Sequence, residues 1–111
     1  MKHTKHSKSR KGDLAEYYAV TWLWDNGYEV FLNAGCSGPI DMIAIKEGAV
    51  TLIDVKTSYF KSRNKRNKTG NSAYSPGGRT EEQKEMGVNF LGFDPNTREL
   101  RFVEHKDEQP D

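Results

Sequence analysis

The fold of this chain is decided by two apolar runs, residues 40–45 (IDMIAI) and 50–57 (VTLIDVKT). Both runs are rich in β-branched residues, which favours β-strands. Glu47 and Gly48 lie between them and predict a hairpin turn that joins antiparallel strands. Both faces of these strands are largely apolar, which predicts the centre of a covered sheet. The runs nevertheless contain three charged residues, Asp41, Asp54 and Lys56.

The positions of the three charged residues fit a single site. Side chains alternate along a strand, so Asp54 and Lys56 point to the same face, about 7 Å apart along the backbone. Counting outward from the turn, Asp41 lies opposite Asp54 at the open end of the hairpin. Two such carboxylates repel each other unless a cation lies between them, and a hard divalent ion such as Mg²⁺ takes oxygen ligands. The alternative is a plain ion pair between Asp54 and Lys56 inside one sheet.

The remaining segments complete an α/β domain with one mixed, antiparallel-rich sheet flanked by helices, in the order α-β-β-β-α-β-β. Apolar periodicity and turn residues predict helices over residues 12–26 and 80–86, and strands over residues 28–32, 40–46, Ala49–Thr57, Val88–Phe93 and 99–103. Together these elements form a single domain over residues 12–103. The polar composition of the two ends predicts a disordered basic arm over residues 1–11 and an acidic tail over residues 104–111.

The first helix carries apolar or aromatic residues on nearly every side, which predicts burial against the sheet and against a partner subunit. Asp13 suits the helix start and Gly27 suits a C-terminal stop. Glu16 shares a face with apolar residues, where a carboxylate is unfavourable unless it is paired or binds a cation. The alternative is that Glu16 lies at the edge of that face and reaches water. The large aromatic residues suit either a subunit interface or the core: Tyr17, Tyr18, Trp22 and Trp24.

The formal net charge of +1 conceals two strongly basic segments. Residues 1–11 hold five of the 17 lysines and arginines, residues 56–79 hold seven more, and neither segment contains an acid. Such segments favour a polyanionic partner, with DNA the first candidate; the alternative is that they are solvated charged chain without a partner. Residues 58–79 form a long basic loop, and loops of this length are usually functional or disordered.

The composition excludes several classes of protein. No apolar run approaches the roughly 18 residues that a membrane span needs, and no secretory signal follows the basic N-terminus. Cys36 is the only cysteine, which excludes an internal disulfide and a multi-cysteine zinc site. We expect an intracellular, cytoplasmic protein without a membrane partner, acting in the host cell cytoplasm if a phage encodes it.

The arrangement of charged residues resembles that of the PD-(D/E)XK nuclease superfamily. The matching segments are Gly38-Pro39-Ile40-Asp41, Asp54-Val55-Lys56 and, upstream, residues 12–16 (GDLAE). The order helix, three strands, helix, strand is the core order of that superfamily, so the resemblance implies a restriction-endonuclease-like fold. The chain is most similar to small Holliday-junction resolvases and to phage or homing endonucleases. It departs from the motif at Ile40, which separates Pro39 from Asp41.

The resemblance implies a role for each residue of the motif. Asp41 and Asp54 would be metal ligands, and Val55 is included among the metal-binding positions. Lys56 would be the catalytic lysine. Glu16 would be an auxiliary acid that also binds the metal. The implied cofactor is Mg²⁺, with Mn²⁺ as a substitute.

Two further sets of residues follow from the same resemblance. Gln83 matches a catalytic glutamine that recurs on the second helix of some of these nucleases, although Thr80 and Gln83 equally have the spacing of a helix capping box. The basic loop would bind DNA phosphates without reading sequence. Its DNA-binding residues would be Lys61, Arg63, Lys65, Arg66, Lys68 and Arg79.

These predictions together describe a Mg²⁺-dependent endonuclease that hydrolyses phosphodiester bonds in DNA, including branched DNA such as a Holliday junction. A homodimer or higher homo-oligomer is expected, because one small active site cuts one strand. Four-way junctions, flaps, nicks and specific duplex sites are all open as substrates. The alternatives are a non-catalytic DNA-binding module with the same fold and a basic structural RNA-binding protein.

Overall fold

The computed structural model of the chain describes residues 5–35, 37–60 and 78–104. The described elements are α1 (Lys8–Asp25), β1 (Glu29–Leu32), β2 (Met42–Lys46), β3 (Ala49–Thr57), α2 (Glu81–Met86), β4 (Val88–Phe93) and β5 (Leu100–Phe102). This order confirms the predicted α-β-β-β-α-β-β arrangement. Neither described helix has the length and apolar character needed to cross a membrane. Parts of the predicted arm (1–4), basic loop (61–77) and acidic tail (105–111) lie outside the described residues.

The strands form one mixed sheet in the order β1-β2-β3-β4-β5. β3 and β4 run parallel, joined by a connection that contains α2, and the other neighbouring strands are antiparallel. In the β2–β3 hairpin Met42 pairs with Ile53 and Lys46 pairs with Ala49, which is the predicted register. One step beyond Met42 and Ile53, at the open end of the hairpin, are the two aspartates.

The turn between β2 and β3 fixes this register. Glu47 and Gly48 both have positive φ angles, 52° and 82°, as a two-residue type I′ turn requires. Such a turn follows the right-handed twist of its strands, so it holds the pairing in one alignment. A shift by one residue would turn the apolar side chains of β2 from the core to the other face of the sheet.

α1 begins four residues before the predicted start. Ser7 is the N-cap, and its side chain accepts a hydrogen bond of 3.1 Å from the Arg10 N–H. The helix then continues through Gly12, so the prediction of a disordered arm is wrong for residues 8–11. The first turn carries no apolar residue, and its helical state therefore leaves no hydrophobic period in the sequence. The helix ends as predicted, with Gly27 at φ 89°.

The hydrophobic core lies between α1 and one face of the sheet. Ala15, Ala19 and Leu23 form a stripe along α1, and each is at most 3% exposed. Because these residues are four apart, they lie on one side of the helix. The stripe packs against buried residues of three strands, namely Met42, Ala44, Ile53 and Leu91.

The four large aromatic residues of α1 divide into two pairs. Trp22 packs its ring against β5 at a centroid distance of 5.9 Å, and Tyr18 packs against β4 at 5.2 Å. Tyr17 and Trp24 are 74% and 62% exposed. Among the described residues, the sheet covers one side of α1, as predicted, and burial of the other side against a partner subunit stays a prediction.

The opposite face of the sheet is partly open. α2 packs against β4 on this face, whereas Phe31 and Val50, toward the β1 edge, are 51% and 59% exposed. The prediction of a sheet covered on both faces therefore holds at β4 and fails toward β1. The covered part of this face is where the charged residues of β3 lie.

Candidate active site

Asp41 and Asp54 meet at the open end of the β2–β3 hairpin. The Asp41 N–H donates to the Ile53 carbonyl at 2.8 Å, which extends the ladder one residue beyond β2. Oδ2 of Asp41 accepts a hydrogen bond of 2.7 Å from the Val55 N–H. The Asp54 carboxyl lies close enough to raise the pKa of Asp41 through a hydrogen bond. The structure thus brings together the two carboxylates that the hairpin register predicts.

The Asp41 carboxyl has a raised pKa. Burial raises the pKa of Asp41 from its usual 3.8 to about 7, and the hydrogen bond to Asp54 acts in the same direction. The Val55 N–H lowers this pKa, while the negative charges of Asp54 and Glu16 raise it further. Asp41 therefore binds a proton more readily than an isolated aspartate, because two adjacent negative charges repel. A cation at the pair would remove that repulsion.

Asp54 and Lys56 form the ion pair that was the alternative to a metal site. Lys56 Nζ lies 3.4 Å from Asp54 Oδ2 and 5.3 Å from the centre of the Phe90 ring. The Asp54 side chain is 12% exposed, whereas that of Lys56 is 43% exposed. The Lys56 ammonium group is therefore held by the buried Asp54 carboxylate, while the Lys56 side chain stays partly accessible to solvent. The ion pair does not account for the second carboxyl group, Asp41.

Gln83 connects α2 to the carboxylate pair. Its Nε2 donates to Asp54 Oδ2 at 2.8 Å and to the Pro39 carbonyl at 3.0 Å. Its Oε1 accepts from the Thr80 N–H, and its own N–H donates to the Thr80 hydroxyl, both at 3.1 Å. This reciprocal pair is the predicted capping box. The cap and the site use different atoms of one residue, so the two interpretations of Gln83 are compatible.

Glu16 lies at the margin of the site. It is exposed on α1, yet partial burial and then the charges of Asp13 and Asp54 raise its pKa. Within the three described ranges, no three acidic, histidine or cysteine side chains converge closely enough to enclose a metal ion. Glu16 therefore occupies the edge position of the alternative interpretation, within electrostatic range of the pair.

Asn33 organises the loop before Asp41, and none of the sequence predictions included it. Its Nδ2 donates to the carbonyls of Ser37 and Ile40, and its Oδ1 accepts from the Gly35 N–H, all at 2.8 Å. Its backbone N–H donates to the Asp41 carbonyl at 3.0 Å. These bonds fix the chain that delivers Asp41 to the site. An asparagine at the start of a glycine-containing turn was the available signal.

The predicted DNA-binding residues separate into two groups. Arg79 is 8% exposed and donates from Nη1 to the Val88 carbonyl at 3.1 Å. Burial and this bond place the Arg79 side chain against β4, and its contact with DNA stays a prediction. The other five lie outside the described residues, and their contact with DNA stays a prediction: Lys61, Arg63, Lys65, Arg66 and Lys68.

The donor set of the site fits a hard divalent cation. Asp41 and Asp54 present oxygen atoms only, and a protein donor holds Oδ2 of each carboxylate. Such outer hydrogen bonds orient ligands before an ion arrives. Val55 contributes its N–H to this support. Its own predicted role as a metal-binding residue stays a prediction.

The arrangement of helices and strands occurs in a known enzyme. The chain is similar to the structure of a bacterial homing endonuclease, I-Ssp6803I, with a TM-score of 0.62. The chain shares the fold of that enzyme. The similarity covers 96% of this chain and 84% of that one at 18% sequence identity, so it establishes a shared fold alone. No protein-family model matches the sequence of this chain, and no curated protein matches it.

Proposed function

We propose that this chain is a divalent-metal-dependent DNA endonuclease of the PD-(D/E)XK type. The observation that supports it is the pair of opposed carboxyl groups, Asp41 and Asp54, with Lys56 Nζ at 3.4 Å from Asp54 Oδ2. A structural ion pair needs one acid, and a second partly buried acid beside it is unfavourable for stability. Groups that raise the pKa of a neighbour in this way are concentrated at functional sites. The fold shared with a homing endonuclease supports the proposal.

Each residue of the candidate active site would have a separate role in hydrolysis. Asp41 and Asp54 would hold Mg²⁺, or Mn²⁺ in its place, and the bound ion supplies polarisation of the phosphate and a more acidic water. Lys56 Nζ would donate to the phosphate oxygens and offset the charge that develops in the transition state. Gln83 and the Val55 N–H would hold the two carboxylates in position.

Two outer features would complete the site. Glu16 would act as an auxiliary acid, because its negative charge at the edge strengthens the attraction of the pair for a cation. The basic loop over residues 61–68 would bind phosphates on either side of the cleaved bond. These contacts carry no sequence information, so they suit duplex and branched DNA alike, a Holliday junction included.

The proposed assembly is a homodimer, since cutting both strands or resolving a junction requires two sites. The exposed pair Tyr17 and Trp24 on α1 is our candidate for the contact between subunits. Sedimentation equilibrium of the wild type should give a dimer, and replacing both residues by serine should give a monomer. A monomeric wild type would overturn the proposed assembly.

Cleavage of labelled four-way junction, flap, nicked and linear duplex DNAs tests the proposed activity. The wild type should cut at least one of these with Mg²⁺ and none with EDTA. Asp54→Asn and Lys56→Ala should each reduce the cleavage rate by about 10²-fold or more and retain DNA binding. Lys84→Ala is the matched control and should cleave like the wild type. Lys84 also pairs with an acid, Glu81, at 3.5 Å, but this pair lies outside the candidate active site.

Three outcomes would contradict the proposal in different ways. A wild type that binds DNA and cuts nothing with Mg²⁺ or Mn²⁺ would favour the non-catalytic DNA-binding module. Cleavage that persists in EDTA would exclude the metal requirement. Binding of RNA alone, without any effect of metal, would favour the structural RNA-binding protein.

A further inference from the structure

Arg101 on β5 extends the charged surface across the sheet. Lys56 pairs with Gly92 on β4, and Gly92 pairs with Arg101. Directly paired residues point to the same face, so Arg101 shares the face of Lys56. Two strand spacings separate their backbones, which is about 10 Å. A second cation therefore lies on the same surface as the carboxylate pair.

Gly92 makes room for an aromatic support between the two cations. A Cβ atom at this position would lie 2.8 Å from Ser58 Oγ and 3.2 Å from Phe60 Cζ. Both distances are shorter than side chains normally tolerate. Because Gly92 has no side chain, Phe60 packs down onto β4 and is only 7% exposed.

Asp94 fixes the backbone of Phe60. Its Oδ2 accepts a hydrogen bond of 3.0 Å from the Phe60 N–H, and its Oδ1 accepts one of 2.8 Å from the Asn96 N–H. The Asp94 residue is 1% exposed. A buried carboxylate bonded to two chain segments resists displacement, because moving it would leave the carboxylate unpaired. Phe60 is therefore a firmly held platform.

The Arg101 guanidinium lies on this platform. Its central carbon is 4.2 Å from the centre of the Phe60 ring, and the residue is exposed. Among the described residues, no carboxylate pairs with it. A guanidinium that rests on a ring keeps its N–H groups free at its edges, where they match the oxygens of a phosphate. Arg79 shows the contrasting arrangement, with Nη1 directed at a carbonyl.

We propose that Arg101 binds a DNA backbone phosphate beside the one held at Lys56, with Phe60 as its support. This inference rests on the proposed nuclease function and names part of its DNA-binding surface. The contact aligns the strand in the site and carries no sequence preference. Replacing arginine by lysine would keep the charge and remove the paired hydrogen bonds.

The salt dependence of DNA binding tests the role of Arg101. The probe is a fluorescein-labelled duplex, and anisotropy in EDTA gives the affinity at several salt concentrations. Arg101→Ala should weaken binding and reduce the slope of log affinity against log salt by about 0.9, the value for one phosphate neutralised by one side chain. Arg101→Lys should weaken binding with the slope unchanged. Phe60→Leu should behave like Arg101→Lys, because it also leaves the charge in place.

Arg98→Ala is the matched control. Arg98 also lies over an aromatic ring, 5.0 Å from the centre of Tyr18, but on the α1 side of the sheet. The DNA affinity of Arg98→Ala and its slope against salt concentration should equal those of the wild type. A wild-type slope for Arg101→Ala, or an equal change in Arg98→Ala, would overturn the inference. Thermal melting of each variant shows that the comparison is between folded proteins.

Cleavage by the same proteins separates this inference from the proposed function. With an active wild type, Arg101→Ala should raise KM and leave kcat nearly unchanged, because it removes binding shared by ground and transition states. An active wild type with an unchanged slope in Arg101→Ala would refute the role of Arg101 alone. An inactive wild type with a reduced slope in the variant would refute the nuclease and support phosphate binding by Arg101.

Discussion

The raised pKa of Asp41 makes the stability of the folded protein depend on pH. The Asp41 pKa is about 7 in the folded chain against a usual 3.8, so between these values the folded state holds more protons than the unfolded state. The Asp41 contribution to the free energy of unfolding is therefore complete below about pH 4 and is lost as pH rises to about 7. We expect about 1–2 kcal/mol, less than full linkage gives, because the carboxyl is partly exposed to screening solvent.

Urea unfolding in EDTA across this pH range measures the effect. Asp41→Asn should remove the decline and be more stable than the wild type at neutral pH. Asp25→Asn is the control, since Asp25 is an exposed acid at the end of α1, and it should keep the wild-type profile. Mg²⁺ should restore stability to the wild type at neutral pH and not to Asp41→Asn. Equal pH profiles for the wild type and Asp41→Asn would show that the pKa of Asp41 is not raised in the folded protein.

Gln83 combines a cap and a ligand support, and two substitutions separate them. Thr80→Ala removes the capping hydroxyl and should lower the free energy of unfolding by about 1 kcal/mol with cleavage nearly unchanged. Gln83→Ala also removes the bonds to Asp54 and Pro39, so it should weaken Mg²⁺-dependent cleavage by about 10–100-fold. Measuring the cleavage rate of both variants against Mg²⁺ concentration distinguishes the loss of the cap from the loss of ligand support. Equal cleavage by the two variants would mean that Gln83 serves only as a cap.

At the scale of the element, the early start of α1 places Gly12 inside the helix. Alanine at Gly12 should therefore change the free energy of unfolding in the opposite direction to alanine at a glycine that ends the helix. Gly12 lies inside the helix, and a Cβ there would meet nothing within 4 Å. Gly12→Ala should therefore raise the free energy of unfolding by about 0.5–1 kcal/mol. Gly27→Ala should lower it by a similar amount, since Gly27 has φ 89°. Chemical denaturation checks both, and a destabilised Gly12→Ala would place the helix start at Gly12 after all.

The β2–β3 hairpin was the element that sequence alone described best. A two-residue turn fixes the register, and a period of two fixes the faces, so the positions of Asp41 and Asp54 followed from counting. The start of α1 did not follow, because its first turn is polar and depends on one N-cap serine, Ser7. The burial of Arg79 was also hidden, since only tertiary packing brings it to the Val88 carbonyl.

At the scale of the whole molecule, the basic segments predict DNA binding that depends strongly on salt. Affinity should fall steeply between low and physiological salt, because each lysine or arginine bound to a phosphate releases counterions. Replacing the five basic residues of positions 61–68 by serine should flatten the slope by about 0.9 for each phosphate that these side chains neutralise in the wild type. Anisotropy over a salt series measures it. A flat wild-type profile would remove the electrostatic basis of the proposed DNA binding.

The sequence by itself determined the order of the elements, the hairpin register and the pairing of Asp41 with Asp54, because each depends on local periodicity and turn geometry. Only the tertiary structure decided how these groups behave. Burial raises the pKa of Asp41, α2 brings Gln83 to Asp54, and β5 brings Arg101 to the face of Lys56. Contacts between residues far apart in the chain depend on how elements pack, and no local pattern of residues encodes that packing.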